Sequence, residues 1–254
     1  MIGITPRDAA RARGETKRQY VTAMFDRIAA RYDAMNIVIS LGQTSIWRRR
    51  ALKGISLPHP AVVLDVGCGT GSLIRLLRRK FRSARYLGID ISSRMLEKAS
   101  LREPKSDFCV GDAGFIPCRT ESCDLVTTFF TTRNFADLQA AAREMMRVLK
   151  PGGRLVVLDS FPASGHLLWR ALKKCWIHVA VPFLVRPFTD AQAYRYLAES
   201  IEAHCSPEAL VDILISCGAE STSIRFLSFG AAAVISVSKP KKTGHDRPSS
   251  EQDK

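Results

Sequence analysis

The chain has 254 residues, of which 46% are hydrophobic and 24% are charged, and this ordinary globular composition excludes a disordered or fibrous protein. The formal net charge of +14 suggests an anionic partner, such as a nucleic acid, a membrane surface or an acidic substrate; the alternative is a solvated surface with no such partner. The seven cysteines show no CxxC spacing and no histidines at zinc-ligand spacing, so we expect no metal site. An odd number of thiols and a polar N-terminus without an apolar leader predict a reduced, cytoplasmic protein.

The sequence pattern predicts a mobile N-terminal segment followed by helices. Residues 1–18 are polar and basic, and we expect them to be mobile. Residues 19–57 predict N-terminal helices, because Met24, Ile28 and Tyr32 recur at helical spacing.

A glycine-rich turn between an apolar strand and an amphipathic helix is the strongest motif. Strand Val62–Val66 leads into a G-x-G-x-G sequence at residues 67–71, and a leucine-rich helix, Leu73–Phe81, follows. The next predicted strand, Tyr86–Asp90, ends in an acid at the position where nucleotide-binding folds hold a ribose. The spacing differs from the G-x-G-x-x-G of dinucleotide sites, and no lysine follows as in a P-loop. The pattern predicts a nucleotide-like cofactor; the alternative is a plain turn that needs glycine for packing.

Strands and helices keep alternating up to residue 159. The predicted elements are helix Ser93–Ser100, strand Phe108–Val110, strand Leu125–Phe130, helix Asp137–Leu149 and strand Arg154–Asp159. This order predicts an α/β fold with a doubly wound, mostly parallel sheet that binds ligands at the carboxyl ends of its strands.

The pattern changes after residue 161. Residues 164–188 form an apolar stretch interrupted by basic residues, which makes it a poor membrane span. Two helices and two strands are predicted to follow, and residues 239–254 are expected to be disordered. These last elements are helices Ala191–Ala203 and Pro207–Cys217 and an edge hairpin of strands Ser221–Leu227 and Ala231–Ser238. We therefore expect a single domain over residues 19–238, with a helical lid at residues 162–203.

Together with Gly111-Asp112-Ala113, the glycine turn and Asp90 make the chain resemble the class I S-adenosylmethionine methyltransferases, which have a Rossmann-like fold. The resemblance implies that S-adenosylmethionine is the cofactor. In that family the glycine turn receives the methionine and ribose, the acid binds the ribose hydroxyls, and residues after the third strand hold the adenine. The cofactor-binding residues that it implies are Asp65, Gly67, Gly69, Thr70, Gly71, Asp90, Asp112, Ala113 and Phe129.

Further motifs are similar to the ubiquinone/menaquinone C-methyltransferases. They are Tyr32-Asp33-Ala34-Met35-Asn36, Arg133-Asn134, Arg147–Arg154 and Ala193–Ile201. The resemblance implies C-methylation of a prenylated quinol, a demethylmenaquinol or else a benzoquinol. The chain departs from the family pattern at Thr44, usually histidine, at Asp159, usually glutamate, at Ser72, often an acid, and at Thr131-Thr132 in the fourth-strand motif.

Ring methylation gives the candidate catalytic residues their roles. A neighbouring cation lowers the pKa of a phenol, and the resulting phenolate carries more negative charge on its ring carbon. We assign this role to Arg133, with Asn134 as an orienting hydrogen-bond partner. Tyr32, Asp33 and Tyr194 are candidate substrate contacts. Each has a structural alternative: a surface ion pair for Arg133, and capping or packing for the others.

Other functions and partners stay open at this point. The alternatives are a methyltransferase of another phenolic or lipid small molecule, a non-catalytic protein that retains the cofactor fold, and an RNA methyltransferase suggested only by the net charge. We expect no nucleic-acid partner, because no RNA-reading or DNA-reading module is found. A membrane contact through residues 164–188, a peripheral position on the inner face of the membrane and a homodimer are further expectations.

Overall fold

Strands and helices alternate from residue 62 onward in the computed structural model, which describes residues 4–162, 175, 176, 179 and 191–241. The strands are β1 (Val62–Val66), β2 (Arg85–Asp90), β3 (Asp107–Val110), β4 (Cys123–Phe129), β5 (Leu149–Asp159), β6 (Glu220–Leu227) and β7 (Ala232–Ser238). The helices are α1 (Pro6–Arg11), α2 (Gly14–Ile28), α3 (Tyr32–Ile39), α4 (Gln43–Ala51), α5 (Ser72–Lys80), α6 (Ser93–Arg102), α7 (Leu138–Val148), α8 (Ala191–Glu202) and α9 (Pro207–Ser216). Short 3₁₀ turns cover Thr132–Asn134 and Ser228–Gly230.

The strands form one sheet in the order β3-β2-β1-β4-β5-β7-β6. Strands β1 to β5 pair in parallel, and β7 runs antiparallel between β5 and β6. The strand order reverses between β1 and β4, and this switch point is where open α/β sheets bind ligands. The α/β fold class predicted from the sequence is confirmed.

Both faces of the sheet are covered, because neighbouring strand residues point to opposite sides. Val63 packs with α4 and α5, whereas Leu64 packs on the other face with α7 and α9. In β5, Val156 packs on the same face as Val63, and Val157 packs on the same face as Leu64. Burying each of these side chains stabilises the fold by roughly 1.5–3 kcal/mol, so the sheet is held rigidly from both sides.

The N-terminal segment corrects a prediction, because two helices begin where residues 1–18 were expected to be mobile. Thr5 caps α1, and its side chain accepts a hydrogen bond from the Asp8 N–H at 3.2 Å. Ala9 and Ala10 are buried, and α1 packs against α8. The small alanine side chains allow this close helix contact and give no strong hydrophobic period in the sequence.

Strand β5 also begins earlier than predicted. Leu149 already pairs with Cys123 of β4, so residues 151–153 lie inside the strand instead of in the turn before it. The predicted lid overlaps α8, but most of the 164–188 stretch lies outside the described residues, as do residues 242–254 of the predicted tail. Within the described part of the chain, no helix has the length and apolar character needed to cross a bilayer.

Candidate active site

The glycine turn is pressed against the carboxyl end of β2. The N–H groups of Gly67 and Cys68 both donate to the Ile89 carbonyl, at 2.7 and 3.0 Å. Gly67 has a φ of +72°, and a Cβ there would lie 2.2 Å from Thr131 Cγ2. Only glycine fits this conformation in this space. The close packing holds the turn at the switch point of the sheet.

Asp90 ties the same turn to the end of β2. Its Oδ2 accepts the Gly69 N–H at 2.8 Å, and its Oδ1 accepts the Ser92 N–H at 2.9 Å. Burial raises the pKa of Asp90, and these two N–H donors act against that shift. Each carboxylate oxygen has a further lone pair, so Asp90 can also accept hydrogen bonds from a pair of ligand hydroxyls.

A small cavity of about 60 Å³ opens beside this turn, and we call it the turn cavity. Five residues predicted to bind the cofactor line it: Gly67, Gly69, Asp90, Asp112 and Ala113. Helix α2 and the segments after β2 and β4 complete its wall. Thr131, which departs from the fourth-strand motif, is one of these residues, and the others were not singled out by the sequence motifs: Arg18, Val21, Phe25, Ile91, Met95, Phe135 and Ala136.

A second cavity of about 440 Å³ lies next to the turn cavity, and we call it the apolar cavity. Its walls come mainly from α2, α3, α4 and α8. Of the predicted residues, Tyr32, Arg133, Asn134 and Tyr194 line it. The sequence had also placed Met24, Ile28 and Tyr32 on one helix face. Met35 and Tyr196, which stand in two of the family motifs, line the same cavity, and so does Trp47. Phe25, Tyr32, Phe130 and Asn134 line both cavities, so these four side chains stand where the two spaces meet.

Arg133 brings a positive charge to the apolar cavity. Its Nη1 pairs with Asp159 Oδ1, and the two side chains are 9% and 0% exposed. Asp159 also accepts the Thr132 hydroxyl at 2.6 Å and the Ser160 N–H at 2.8 Å. The buried Arg133 Nε finds no acceptor among the described residues. A buried donor without a partner is costly, so this N–H group is suited to a ligand oxygen.

His204 lies behind this ion pair. Its Nε2 is 3.0 Å from Thr132 Oγ1. The Thr132 hydroxyl gives its one proton to Asp159, so it accepts from His204, and the tautomer with a proton on Nε2 fits this arrangement. Burial lowers the pKa of His204 to about 4, and its ring stacks on Phe161 with 5.0 Å between the centroids. The neutral imidazole thus helps to hold Asp159 against Arg133.

Asn134 is oriented from the opposite side by Tyr196. The Tyr196 hydroxyl donates to Asn134 Oδ1 at 3.2 Å. Burial raises the pKa of Tyr196, so the phenol keeps its proton and stays a donor. Because the amide oxygen is taken, the Asn134 NH₂ group is the part available at the junction of the two cavities.

Comparison with known proteins identifies the family. The model of the ubiE/COQ5 methyltransferase family matches residues 13–239. The chain belongs to this family. It is 37% identical to the demethylmenaquinone methyltransferase of Thermotoga maritima over 223 residues, which cover 87% of this chain and 96% of the relative. It is also 37% identical to the demethylmenaquinone methyltransferase of Thermus thermophilus over 222 residues, which cover 85% of this chain and all of the relative.

A solved structure supports the fold assignment. Phosphoethanolamine N-methyltransferase 2 of Haemonchus contortus, solved in complex with S-adenosyl-L-methionine, matches with a TM-score of 0.58 and 16% identity. The match covers 76% of this chain and 52% of that chain, and at this identity it shows a common fold. The methyltransferase resemblance drawn from the sequence is confirmed.

Not all residues that the resemblance implied for cofactor binding lie at the cavities of this family member. Asp65 lies 1% exposed beneath the turn, where Thr127 Oγ1 donates to it at 2.8 Å and burial raises its pKa to about 7. Gly71 packs against Ala99. Phe129 belongs to the core between the sheet and α4, and its neighbour Phe130 lines both cavities instead.

Asp33 and Thr70 contact each other and line neither the turn cavity nor the apolar cavity. The Thr70 hydroxyl donates to Asp33 Oδ1 at 2.8 Å, and Arg102 donates from Nη2 to Asp33 Oδ2 at 2.5 Å and from Nη1 to Thr70 Oγ1 at 2.9 Å. This cluster, which we call the α3 latch, fastens the start of α3 to the glycine turn and to α6. Asp33 was predicted to touch the substrate and Thr70 the cofactor; the structure gives both a part in this interhelical contact.

The residues around the turn cavity fit the S-adenosylmethionine that the family resemblance implied. The Asp90 carboxylate suits the ribose hydroxyls, and Asp112 with Ala113 forms the end expected to hold the adenine. Among the described residues, the one atom found within 4 Å of a Cβ added at Gly69 is Tyr32 Cε1 at 3.8 Å, so the face of the turn at Gly69 is open for close ligand approach. However, a cavity of about 60 Å³ is smaller than the roughly 300 Å³ typical of ligand sites. Binding therefore requires side chains that line the turn cavity to move outward, and Phe25 and Tyr32, which also border the apolar cavity, are the first candidates.

Proposed function

We propose that this protein transfers a methyl group from S-adenosylmethionine to a ring carbon of a prenylated quinol, and that the quinol is a demethylmenaquinol. One observation carries the proposal: a turn cavity with a ribose-type acid adjoins a large apolar cavity that contains a buried arginine. Family membership and the names of the relatives at 37% identity support the same reaction and substrate.

S-adenosylmethionine supplies an electrophilic methyl group on a sulfonium, so the protein has to bind, orient and desolvate the two reactants. Asp90 would accept hydrogen bonds from the ribose hydroxyls, and the main chain near Gly69 would allow the cofactor to approach closely. The cofactor and the quinol would meet at the junction of the two cavities, and four side chains border both cavities there: Phe25, Tyr32, Phe130 and Asn134.

Arg133 raises the nucleophilicity of the quinol ring. Its guanidinium stays protonated and removes no proton, so it acts by stabilising the quinol monoanion, whose phenolic proton has passed to solvent, and this oxyanion places negative charge on the neighbouring ring carbon. The bond from that carbon to the methyl group forms as the bond between the methyl group and sulfur breaks, and the displaced ring proton is released to solvent. The Nε–H that has no acceptor among the described residues is the candidate donor to this oxygen. The Asn134 NH₂ group, oriented by Tyr196, is the second candidate donor. The apolar lining keeps water away and strengthens both interactions.

The test is methyl transfer in solution with a demethylmenaquinol that carries a short prenyl chain, kept reduced under anaerobic conditions. We expect a product heavier by one methylene, with the methyl group on carbon by NMR. Arg133→Lys is expected to lower kcat by about 10²-fold, the usual effect of removing one oriented oxyanion donor, with S-adenosylhomocysteine binding retained.

The control has to separate chemistry from folding, because removing Arg133 alone leaves a buried carboxylate unpaired at a cost of about 3–5 kcal/mol. Arg133→Gln combined with Asp159→Asn removes both charges and keeps hydrogen-bonding groups. This double variant is expected to fold, to bind S-adenosylhomocysteine and to be inactive. Full activity of the double variant would refute the role of Arg133.

Other outcomes separate the alternatives. Methylation of a non-prenylated phenol in preference to the quinol would favour another small-molecule methyltransferase, and failure to bind S-adenosylhomocysteine would favour a non-catalytic protein. Methylation of RNA would favour an RNA methyltransferase, the alternative suggested by the net charge alone. We further propose a cytoplasmic protein bound peripherally to the membrane that holds its substrate. The homodimer stays a prediction, which analytical ultracentrifugation tests.

A further inference from the structure

Exposed apolar side chains collect around the mouth of the apolar cavity. Leu41 and Phe229 are 65% and 88% exposed, yet both line that cavity, so they form its outer edge. Ile37, one helical turn before Leu41, is also exposed, as are Ile46 and Phe226. We call the two segments 37–46 and 226–229 the rim.

The two rim segments are joined by specific hydrogen bonds. Trp47 Nε1 donates to Ser228 Oγ at 2.9 Å, and Ser228 Oγ donates to Gln43 Oε1 at 2.6 Å. Next to them, Arg225 Nη2 donates to the Arg50 carbonyl at 2.6 Å. The rim is thus one built surface in which the α3–α4 connection meets the turn between β6 and β7.

The backbone presents the rim side chains at a conformational cost. Leu41, Ser228 and Phe229 have φ values of +50°, +45° and +56°, in the left-handed region that bulky L residues rarely adopt. Such strain collects at functional sites. An exposed apolar side chain lowers its free energy when an apolar phase receives it.

The chain segments that contain the rim carry only positive charges. Residues 34–64 and 221–238 contain no Asp or Glu. Arg49 and Arg50, on the last turn of α4, are exposed beside the rim. Apolar tips surrounded by cations match the interface of a bilayer with anionic headgroups.

We propose that the rim is the surface with which the protein docks on an anionic phospholipid bilayer, so that a lipid-soluble substrate passes from the membrane into the apolar cavity. The identity of that substrate rests on the proposed function; the docking surface itself does not. This contact lies on α3, α4 and the β6–β7 turn; the contact that the sequence predicted for residues 164–188 stays a separate prediction.

Vesicle flotation tests the proposal with the full chain. We expect wild type to float with phosphatidylglycerol-containing vesicles and much less with pure phosphatidylcholine. Leu41→Ser with Phe229→Ser is expected to lower the partition coefficient at least about tenfold. A matched control, Leu101→Ser with Phe115→Ser, removes the same two side-chain types from sites that are 85% and 77% exposed near β3, at the opposite edge of the sheet. This control is expected to float like wild type.

A second variant keeps the proposal testable if the first variant does not fold. Arg49→Glu with Arg50→Glu reverses the charge beside the rim, and it is expected to weaken binding to anionic vesicles and to remove much of its salt dependence. Thermal unfolding and S-adenosylhomocysteine binding check that each variant folds. Unchanged flotation of both variants, equal loss in the Leu101/Phe115 control, or wild type that binds RNA but no vesicles would overturn the proposal.

Methylation of a tailless, water-soluble naphthoquinol without vesicles distinguishes this proposal from the proposed function. Failure of that reaction alone counts against the methyl transfer. Failure of flotation alone counts against the docking surface.

Discussion

An added methyl group is expected to have different consequences at two glycines of the same turn. A Cβ at Gly67 would lie 2.2 Å from Thr131 Cγ2 and 2.7 Å from Thr131 Oγ1, whereas the nearest atom to a Cβ at Gly69 is Tyr32 Cε1 at 3.8 Å. Both glycines have positive φ, +72° and +54°. Gly67→Ala is therefore a test of packing, and Gly69→Ala is a test of ligand approach.

The magnitudes follow from these distances. Left-handed backbone costs either alanine about 1–2 kcal/mol in the free energy of unfolding. Gly67→Ala adds an overlap with Thr131, and overpacking costs about 1–3 kcal/mol more. At about 2–4 °C per kcal/mol for a chain of this size, Gly67→Ala lowers Tm by roughly 10 °C and Gly69→Ala by about 4 °C.

Urea unfolding and calorimetric titration with S-adenosylhomocysteine measure both effects. Combining Gly67→Ala with Thr131→Ala is expected to recover part of the lost stability, which a double-mutant cycle reports as a coupling energy. Gly69→Ala is expected to weaken S-adenosylhomocysteine binding at least about tenfold, or 1.4 kcal/mol, because the new methyl group enters the turn cavity. Equal destabilisation by the two single variants, or normal ligand affinity in Gly69→Ala, would refute this account of the turn.

Three further variants probe the surroundings of the site. Tyr196→Phe removes the donor that orients Asn134 and is expected to lower kcat about threefold to tenfold with little change in KM, as steady-state kinetics will show. Burial lowers the His204 pKa from 6.5 to about 4, so the unfolded chain takes up a proton below pH 6.5 that the folded protein excludes. Wild type should therefore lose stability relative to His204→Gln as the pH falls from 6.5 to 4, by at most about 3 kcal/mol in urea titrations. Arg102→Met opens the α3 latch, a partly exposed contact worth up to about 1 kcal/mol, and stopped-flow measurements should show S-adenosylhomocysteine dissociating up to about fivefold faster.

The sequence predicted the parts of the site that depend on local signals. A glycine turn after a buried strand, with an acid at the end of the next strand, is a short-range pattern, and Gly69 and Asp90 do line one cavity. The same pattern could not distinguish Phe129 from Phe130, because Phe130 has a φ of +61° that ends the strand alternation. A left-handed conformation in a phenylalanine has no sequence signature.

Contacts between residues that are distant along the chain could not be predicted from the sequence for a different reason. Tyr196 and Asn134 are 62 residues apart, and their hydrogen bond depends on how α8 packs over the 3₁₀ turn after β4. The α3 latch likewise joins residues of three separate elements. Asp33 stands in a motif of the family, and a motif identifies a residue without revealing its partner.

Helix α3 connects the three surfaces on which the proposals depend. Its first residue, Tyr32, stands between the two cavities, the next residue, Asp33, holds the α3 latch, and its far end leads to Leu41 in the rim. The turn cavity is too small for a cofactor until side chains that line it move, and the hydrogen bonds of Asp33 to Thr70 and Arg102 hold the start of α3 against the glycine turn. Movement of α3 would therefore change the junction of the two cavities and the position of the rim together. Under the docking proposal, this one helix would adjust both the entrance for the cofactor and the entrance for the lipid-soluble substrate.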